Sequence, residues 1–214
     1  MGLYITGMGA VTPLGDNVEK TWDNLCRGNS GLKEITLFST EKLRNSQAGE
    51  ITGFNNEANP RSLQFLLKAV KEALDSAGLL NDSDKLEHTA LCIGTNFGCS
   101  ENFTNYCKLN KADKESRSEE LWTYRFQSYI EAVNERFHIG GPSTVVSLAC
   151  ASGLGVIEAG IDFFDSCDFV LCAAVDELTL YSYAGLNALR AITPNRIKPF
   201  TASRTGTQFS EGSG

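Results

Sequence analysis

Val145-Val146-Ser147-Leu148-Ala149-Cys150-Ala151-Ser152-Gly153 joins an apolar run to a cysteine set among small residues. A β-branched apolar run stops at one cysteine and small residues follow. Leu154, Ile157, Ile161 and Phe164 then recur at amphipathic helical spacing. The pattern reads as strand, sharp turn and helix, with the thiol at the turn. A turn this tight needs small neighbours, and Ala149, Ala151, Ser152 and Gly153 supply them. The start of a helix presents N–H groups without intrahelical partners and a partial positive charge, which together stabilise an anionic sulfur. A cysteine among apolar residues is ordinarily a small core side chain. The elbow context instead marks Cys150 as a nucleophile.

On the N-terminal side, Leu3 to Thr6 reads as a short strand entering a glycine-rich turn, Gly7-Met8-Gly9. Asp16 or Asn17 caps a helix that runs to about Arg27 and stops at Gly28. Gln47 to Phe54 reads as a strand. Ser62 to Ala77 reads as a helix with Leu63, Leu66, Leu67, Val70 and Leu74 on one apolar face and Gly78 just past its end. Thr89 to Thr95 reads as a buried strand, Lys108 to Glu120 as a charged surface excursion, and Leu121 to Phe137 as a helix. Pro142 breaks the chain ahead of the Val145–Cys150 strand. After the elbow helix comes the apolar strand Phe169 to Val175. The last forty residues read as loop and short helix. Alternating strands and helices predict an α/β layered fold.

The 214 residues are 42% hydrophobic and 21% charged, with a formal net charge of −7. This is a globular composition with enough apolar content for a sizeable core. The acidic balance argues against nucleic acid as a partner and against attraction to anionic membranes. No apolar stretch approaches membrane-spanning length, and Met1 to Gly9 lacks the features of a secretory signal. Of the seven cysteines, none forms a C-x-x-C pair and no histidine stands at ligand spacing, so no zinc site is expected. Cys92 and Cys172 lie in apolar strand-like runs and read as core thiols of a reducing compartment, the cytoplasm.

Other motifs carry less. A dinucleotide loop begun by Gly7 and Gly9 requires glycine at position 12, where Thr12 stands before Pro13. Gly94-Thr95-Asn96-Phe97-Gly98 follows a strand but lacks the lysine of a P-loop, and reads as a structural turn or pocket wall. Asp176 and Glu177 end a strand. Adjacent strand residues point to opposite faces, so a shared carboxylate site is excluded in favour of helix capping or a salt link. His88 and His138, the only histidines, read as loop residues. The residues call for no metal or organic cofactor.

Ile5-Thr6-Gly7-Met8-Gly9-Ala10-Val11-Thr12-Pro13-Leu14-Gly15 and the elbow Ser147–Gly153 resemble the start and the nucleophile motif of β-ketoacyl-acyl carrier protein synthases. Asn187-Ala188-Leu189-Arg190-Ala191-Ile192, Lys198-Pro199-Phe200, Arg204, Gly206, Glu211 and Gly212 resemble that family's later landmarks, in order. The resemblance implies the N-terminal half of a thiolase-like layered fold, a mixed sheet with helices on both faces, over residues 1–214. It implies that Cys150 accepts an acyl group from a carrier-protein thioester, with its own N–H in an oxyanion hole. A malonyl thioester on a second carrier then supplies the attacking carbanion. It places Leu186 and Arg190 at the mouth of the acyl pocket. It implies acyl carrier protein as partner and a homodimer or heterodimer.

The chain departs from the family in lacking the C-terminal half, which carries the two catalytic histidines, a second oxyanion donor and a supporting lysine. A basic cluster ahead of the Ser62 helix is replaced by Asn55-Asn56-Glu57-Ala58-Asn59, leaving carrier docking to residues such as Lys68, Lys71 or Arg190. The alternative within the resemblance is a non-catalytic partner or scaffold subunit of the chain-length-factor type. Those relatives lose the nucleophile, whereas Cys150 is present.

Overall fold

The computed structural model describes residues 2–54, 60–118 and 124–214. The Asn55–Asn59 replacement and the predicted helix start at Leu121 lie outside them. The described elements are, in order, α1 (Val18–Cys26), β1 (Leu32–Glu34), β2 (Gln47–Gly49), α2 (Arg61–Ser76), α3 (Ser83–Glu87) and β3 (Thr89–Gly94). There follow α4 (Ser100–Lys108), α5 (Lys111–Ser116), α6 (Gln127–Phe137), β4 (Ser143–Val146), α7 (Ser152–Ile161), β5 (Phe169–Asp176), α8 (Leu180–Ala188) and β6 (Gly212–Ser213). The surface excursion read over Lys108 to Glu120 contains α5 in its described residues, and α4 runs up to its start; neither helix was read from the weak apolar pattern.

Caps fix the helix ends where the sequence places them. Asn17 Oδ1 accepts from the Lys20 N–H at 2.8 Å and starts α1. Gly28 and Gly78, at φ of 70° and 69°, take the left-handed turn past α1 and α2 that side chains resist.

The sheet runs β4-β3-β5-β6. β3 is buried along its whole length and pairs in parallel with β4 on one side and β5 on the other. β6 closes antiparallel on the end of β5, pairing Val175 with Ser213. The pleat sends alternate residues to opposite layers. Leu91, Ile93, Ala173 and Val175 join Phe65, Leu66, Ala69 and Val70 of α2 in the main core. Cys92, Gly94 and Cys172 lie on the other face, under α7. Helices therefore cover both faces of a mixed sheet, as expected.

α7 approaches the sheet through small residues. A Cβ on Gly94 would come within 2.9 Å of both the Ser152 carbonyl oxygen and Val156. The large residues of the helix, Leu154, Ile157 and Ile161, with Phe164 beyond it, are 75%, 54%, 50% and 40% exposed. The apolar stripe read from the sequence thus faces away from the sheet.

The predicted first strand and glycine turn are not formed. Residues 2–10 form no sheet ladder. Gly7 and Gly9 instead let the backbone lie against α2. A Cβ on Gly9 would stand 1.9 Å from the Ala69 carbonyl oxygen, and one on Gly7 2.2 Å from that of Ala73. The Met8 and Ala10 N–H groups donate to Ser76 Oγ and Glu72 Oε2, each at 3.0 Å, instead of to a neighbouring strand. Between this segment and β5 lies an apolar cleft of about 570 Å³.

Candidate active site

β4 ends at Val146, and Ala149–Ala151 form one 3₁₀ turn that leads directly into α7. The strand predicted to reach Cys150 therefore stops short, and the cysteine sits within the elbow. Ala149 takes φ 51°, the left-handed region that costs a non-glycine residue roughly 1–2 kcal/mol. The Ser152 hydroxyl holds this bend: it accepts from the Leu148 N–H at 2.9 Å and donates to the Ala149 carbonyl at 2.8 Å. Gly155 supports it from the next turn, since a Cβ there would lie 2.7 Å from Leu148 and 3.0 Å from Val146. Cys150 is left exposed.

The thiol borders an open cavity of about 230 Å³. Its walls include Gly94 from β3, Ala174 and Asp176 from β5, and Gly212 to Gly214 from β6 and beyond. The contribution of the last residues was not legible, because only the antiparallel closure of β6 on β5 brings them here. Gly94 is the pocket wall the sequence suggested. The turn after it is pinned by Asp176, which accepts from the Asn96 and Phe97 N–H groups at 2.9 and 2.8 Å and from the Thr95 hydroxyl at 3.0 Å. Burial raises the Asp176 carboxyl above the usual range, and these three donors oppose that.

Glu177 points the other way, into the α2 layer. It accepts from the Ser62 N–H at 3.2 Å and the Glu101 N–H at 3.1 Å. One buried carboxylate thus caps the first turns of both α2 and α4, where unpaired N–H groups and helix dipoles favour negative charge. Of the two roles expected of this pair, helix capping or a salt link, capping holds for Glu177, while Asp176 pins a turn instead. Burial also raises Glu177. Glu211 is buried too, but Arg61 lies 2.6 Å from its Oε1.

Leu186 packs against a second small core of Ala48, Leu178, Tyr183 and Ile192. Arg190 is exposed at φ 56° after α8. Neither is among the residues lining the cavity beside Cys150. His88 and His138 are exposed caps at the C-terminal ends of α3 and α6, and neither lines that cavity. Lys68 is engaged by Asp16, whose carboxyl is held far below its usual range by hydrogen bonds from Lys20 and Lys68. Among the described residues there is no group of three or more potential metal ligands, and no helix is long and apolar enough to cross a membrane.

Comparison with known proteins bears on this geometry. The chain is 27% identical over 231 residues to 3-oxoacyl-[acyl-carrier-protein] synthase 2 of Staphylococcus aureus (strain COL), covering 99% of this chain and 56% of that protein. It is 30% identical over 251 residues to the 3-oxoacyl-[acyl-carrier-protein] synthase homolog of Saccharomyces cerevisiae, covering 99% and 57%. It thus spans about half the length of these relatives. Its fold matches the ishigamide ketosynthase/chain length factor with a TM-score of 0.81 at 23% identity, over 98% of this chain and 56% of that one. A β-ketoacyl synthase from Burkholderia phymatum STM815 matches with a TM-score of 0.76 at 21% identity, over 98% and 57%. The family model described as beta-ketoacyl synthase, N-terminal domain, matches residues 3–214, and the chain belongs to that family.

Proposed function

We propose that this chain is the acyl-accepting half of a condensing enzyme of fatty-acid or polyketide synthesis, with Cys150 as its nucleophile. The observation that carries this reading is the exposed thiol on a bend held by Ser152, at the wall of an open cavity of about 230 Å³. Cys150 Sγ attacks the carbonyl carbon of a carrier-bound thioester. The carrier thiol leaves with the proton, and the acyl group stays on Cys150. Condensation then needs a malonyl thioester to lose carbon dioxide. The resulting carbanion attacks the acyl-Cys150 carbonyl, and the Cys150 sulfur leaves.

The decarboxylation step requires donors that stabilise the enolate. His88 and His138 stand at helix caps outside the cavity lining, so these donors come from a second half, either farther along the chain or in a partner. The outward apolar stripe of α7 suits a contact with that half or with another copy of this chain. Leu186 and Arg190 act at the mouth of the acyl path once that layer is in place. Acyl carrier protein is the substrate-bearing partner; one solved relative is a type II PKS acyl-carrier protein in complex with its ketosynthase.

The test is incubation of the purified chain with an acyl-carrier thioester, followed by mass mapping. An acyl adduct on the Cys150 peptide, lost in Cys150→Ser, and no β-ketoacyl product from this chain alone are expected. A folded chain that takes no acyl group overturns the reading in favour of a non-catalytic subunit of the chain-length-factor type.

A further inference from the structure

We propose that Cys172 and Cys92 form a two-thiol redox site, in which peroxide entering the cleft beside β5 is reduced and the two residues become joined by a disulfide. The pair lies apart from the elbow, and the acyl-transfer reading does not use it. Cys92 and Cys172 are direct partners in the parallel ladder of β3 and β5. Neighbouring strands run about 4.7–4.9 Å apart, inside the Cα separations of roughly 4.4–6.8 Å that disulfides span. Both side chains leave the sheet on the α7 face.

Gly160 of α7 fixes where the sulfurs lie. A Cβ at that position would stand 2.6 Å from Cys172 Sγ and 3.9 Å from Cys92 Sγ. The absent side chain leaves room for two sulfurs side by side beneath the helix. The two differ in access. Cys92 is fully buried in the central strand, whereas Cys172 is partly exposed and lines the cleft of about 570 Å³. Ile157 and Ile161 of α7 border the same cleft, so small oxidants meet Cys172 first while that face of the helix is uncovered, as in the 214-residue chain by itself.

Cys172 Sγ donates to the Val156 carbonyl oxygen at 3.3 Å. The neighbouring sulfurs lower Cys172 from the ordinary thiol range and raise Cys92, which burial also raises. Access and this direction together make Cys172 the attacking thiol of the pair. The Cys172 thiolate attacks one oxygen of hydrogen peroxide. A sulfur–oxygen bond forms, the oxygen–oxygen bond breaks, and the departing hydroxide takes a proton to give water. The product is Cys172 sulfenic acid. Cys92 sulfur then attacks Cys172 sulfur, the sulfur–sulfur bond forms, and the hydroxyl leaves as water with the Cys92 proton. Two thiols lose two electrons and one peroxide becomes two waters.

The experiment treats the 214-residue chain with hydrogen peroxide, blocks remaining thiols with N-ethylmaleimide, and maps peptides by mass. One Cys92–Cys172 cross-linked peptide pair is expected. Titratable thiols fall by two from the seven present, and dithiothreitol restores them. In Cys92→Ala the cross-link is lost and dimedone traps sulfenic acid at Cys172. If that variant does not fold, the wild-type map alone decides. Oxidation of Cys26, Cys107 or Cys150 with Cys92 and Cys172 left as thiols overturns the proposal, as does a disulfide from Cys172 to any other cysteine.

Discussion

Asp176 and Glu177, consecutive at the end of β5, anchor opposite sides of the sheet: Asp176 holds the turn after β3 at the Cys150 cavity, and Glu177 caps α2 and α4 in the core. The cavity wall and the main core are therefore tied through one peptide bond. The two carboxylates differ in what surrounds them, and that difference is measurable.

Glu177 makes stability depend on pH. Burial raises its carboxyl above the unfolded value, and two backbone donors only oppose this. The folded state then holds more protons than the unfolded one between those two values. Stability from this group is complete below the unfolded value of about 4.3 and is lost as pH rises through the folded one. Thermal melts are expected to rise as pH falls from neutral toward that unfolded value. Glu177→Gln should flatten that slope, and an unchanged slope would refute the assignment.

Ser152→Ala removes the hydroxyl that spans the elbow. Leu148 N–H and the Ala149 carbonyl lose their partner, which costs about 1–3 kcal/mol. The melting temperature should fall, and iodoacetamide should modify Cys150 more slowly. Ala149→Gly relieves the left-handed bend and should recover part of the stability in the double variant. Wild-type rates of Cys150 alkylation in Ser152→Ala would show that the bend stands without the bridge.

Two glycines should respond in opposite directions. A side chain at Gly9 meets the Ala69 carbonyl at 1.9 Å, helix backbone that cannot turn aside. Gly9→Ala should cost at least the 1–3 kcal/mol of an overpacked site. Gly185 lies inside α8 with nothing within 4 Å of a built Cβ. Gly185→Ala should raise stability by about 0.5–1 kcal/mol through lower unfolded-state entropy. Urea melts of the two variants decide this.

The outward face of α7 should drive association. Leu154, Ile157 and Ile161 are at least half exposed, and clustered apolar side chains at a surface favour a partner. Light scattering is expected to show a dimer or larger species. Ile157→Glu with Ile161→Glu should shift it toward monomer, with the stability of the chain changed by no more than about 0.5 kcal/mol per substitution, as surface changes do. A wild-type monomer would refute this.

The local pieces can be read from the order of residues alone. Small residues around Cys150 permit a bend and little else. The caps Asn17, Gly28 and Gly78 end helices through contacts a few residues away, and such contacts are written in the chain. The alternation of strand faces already separated Asp176 from Glu177. What each piece meets follows from packing across the fold. Glu177 finds Ser62 and Glu101 across 115 and 76 residues, and no local pattern encodes partners at that range. Gly7 and Gly9 looked like a turn because glycine is read as freedom of the backbone, yet here they serve the close approach of a chain to α2. The stripe on α7 gives a period but no direction. Direction came from packing: strands β3 and β5 accept only the small side of that helix, so its large apolar residues face outward.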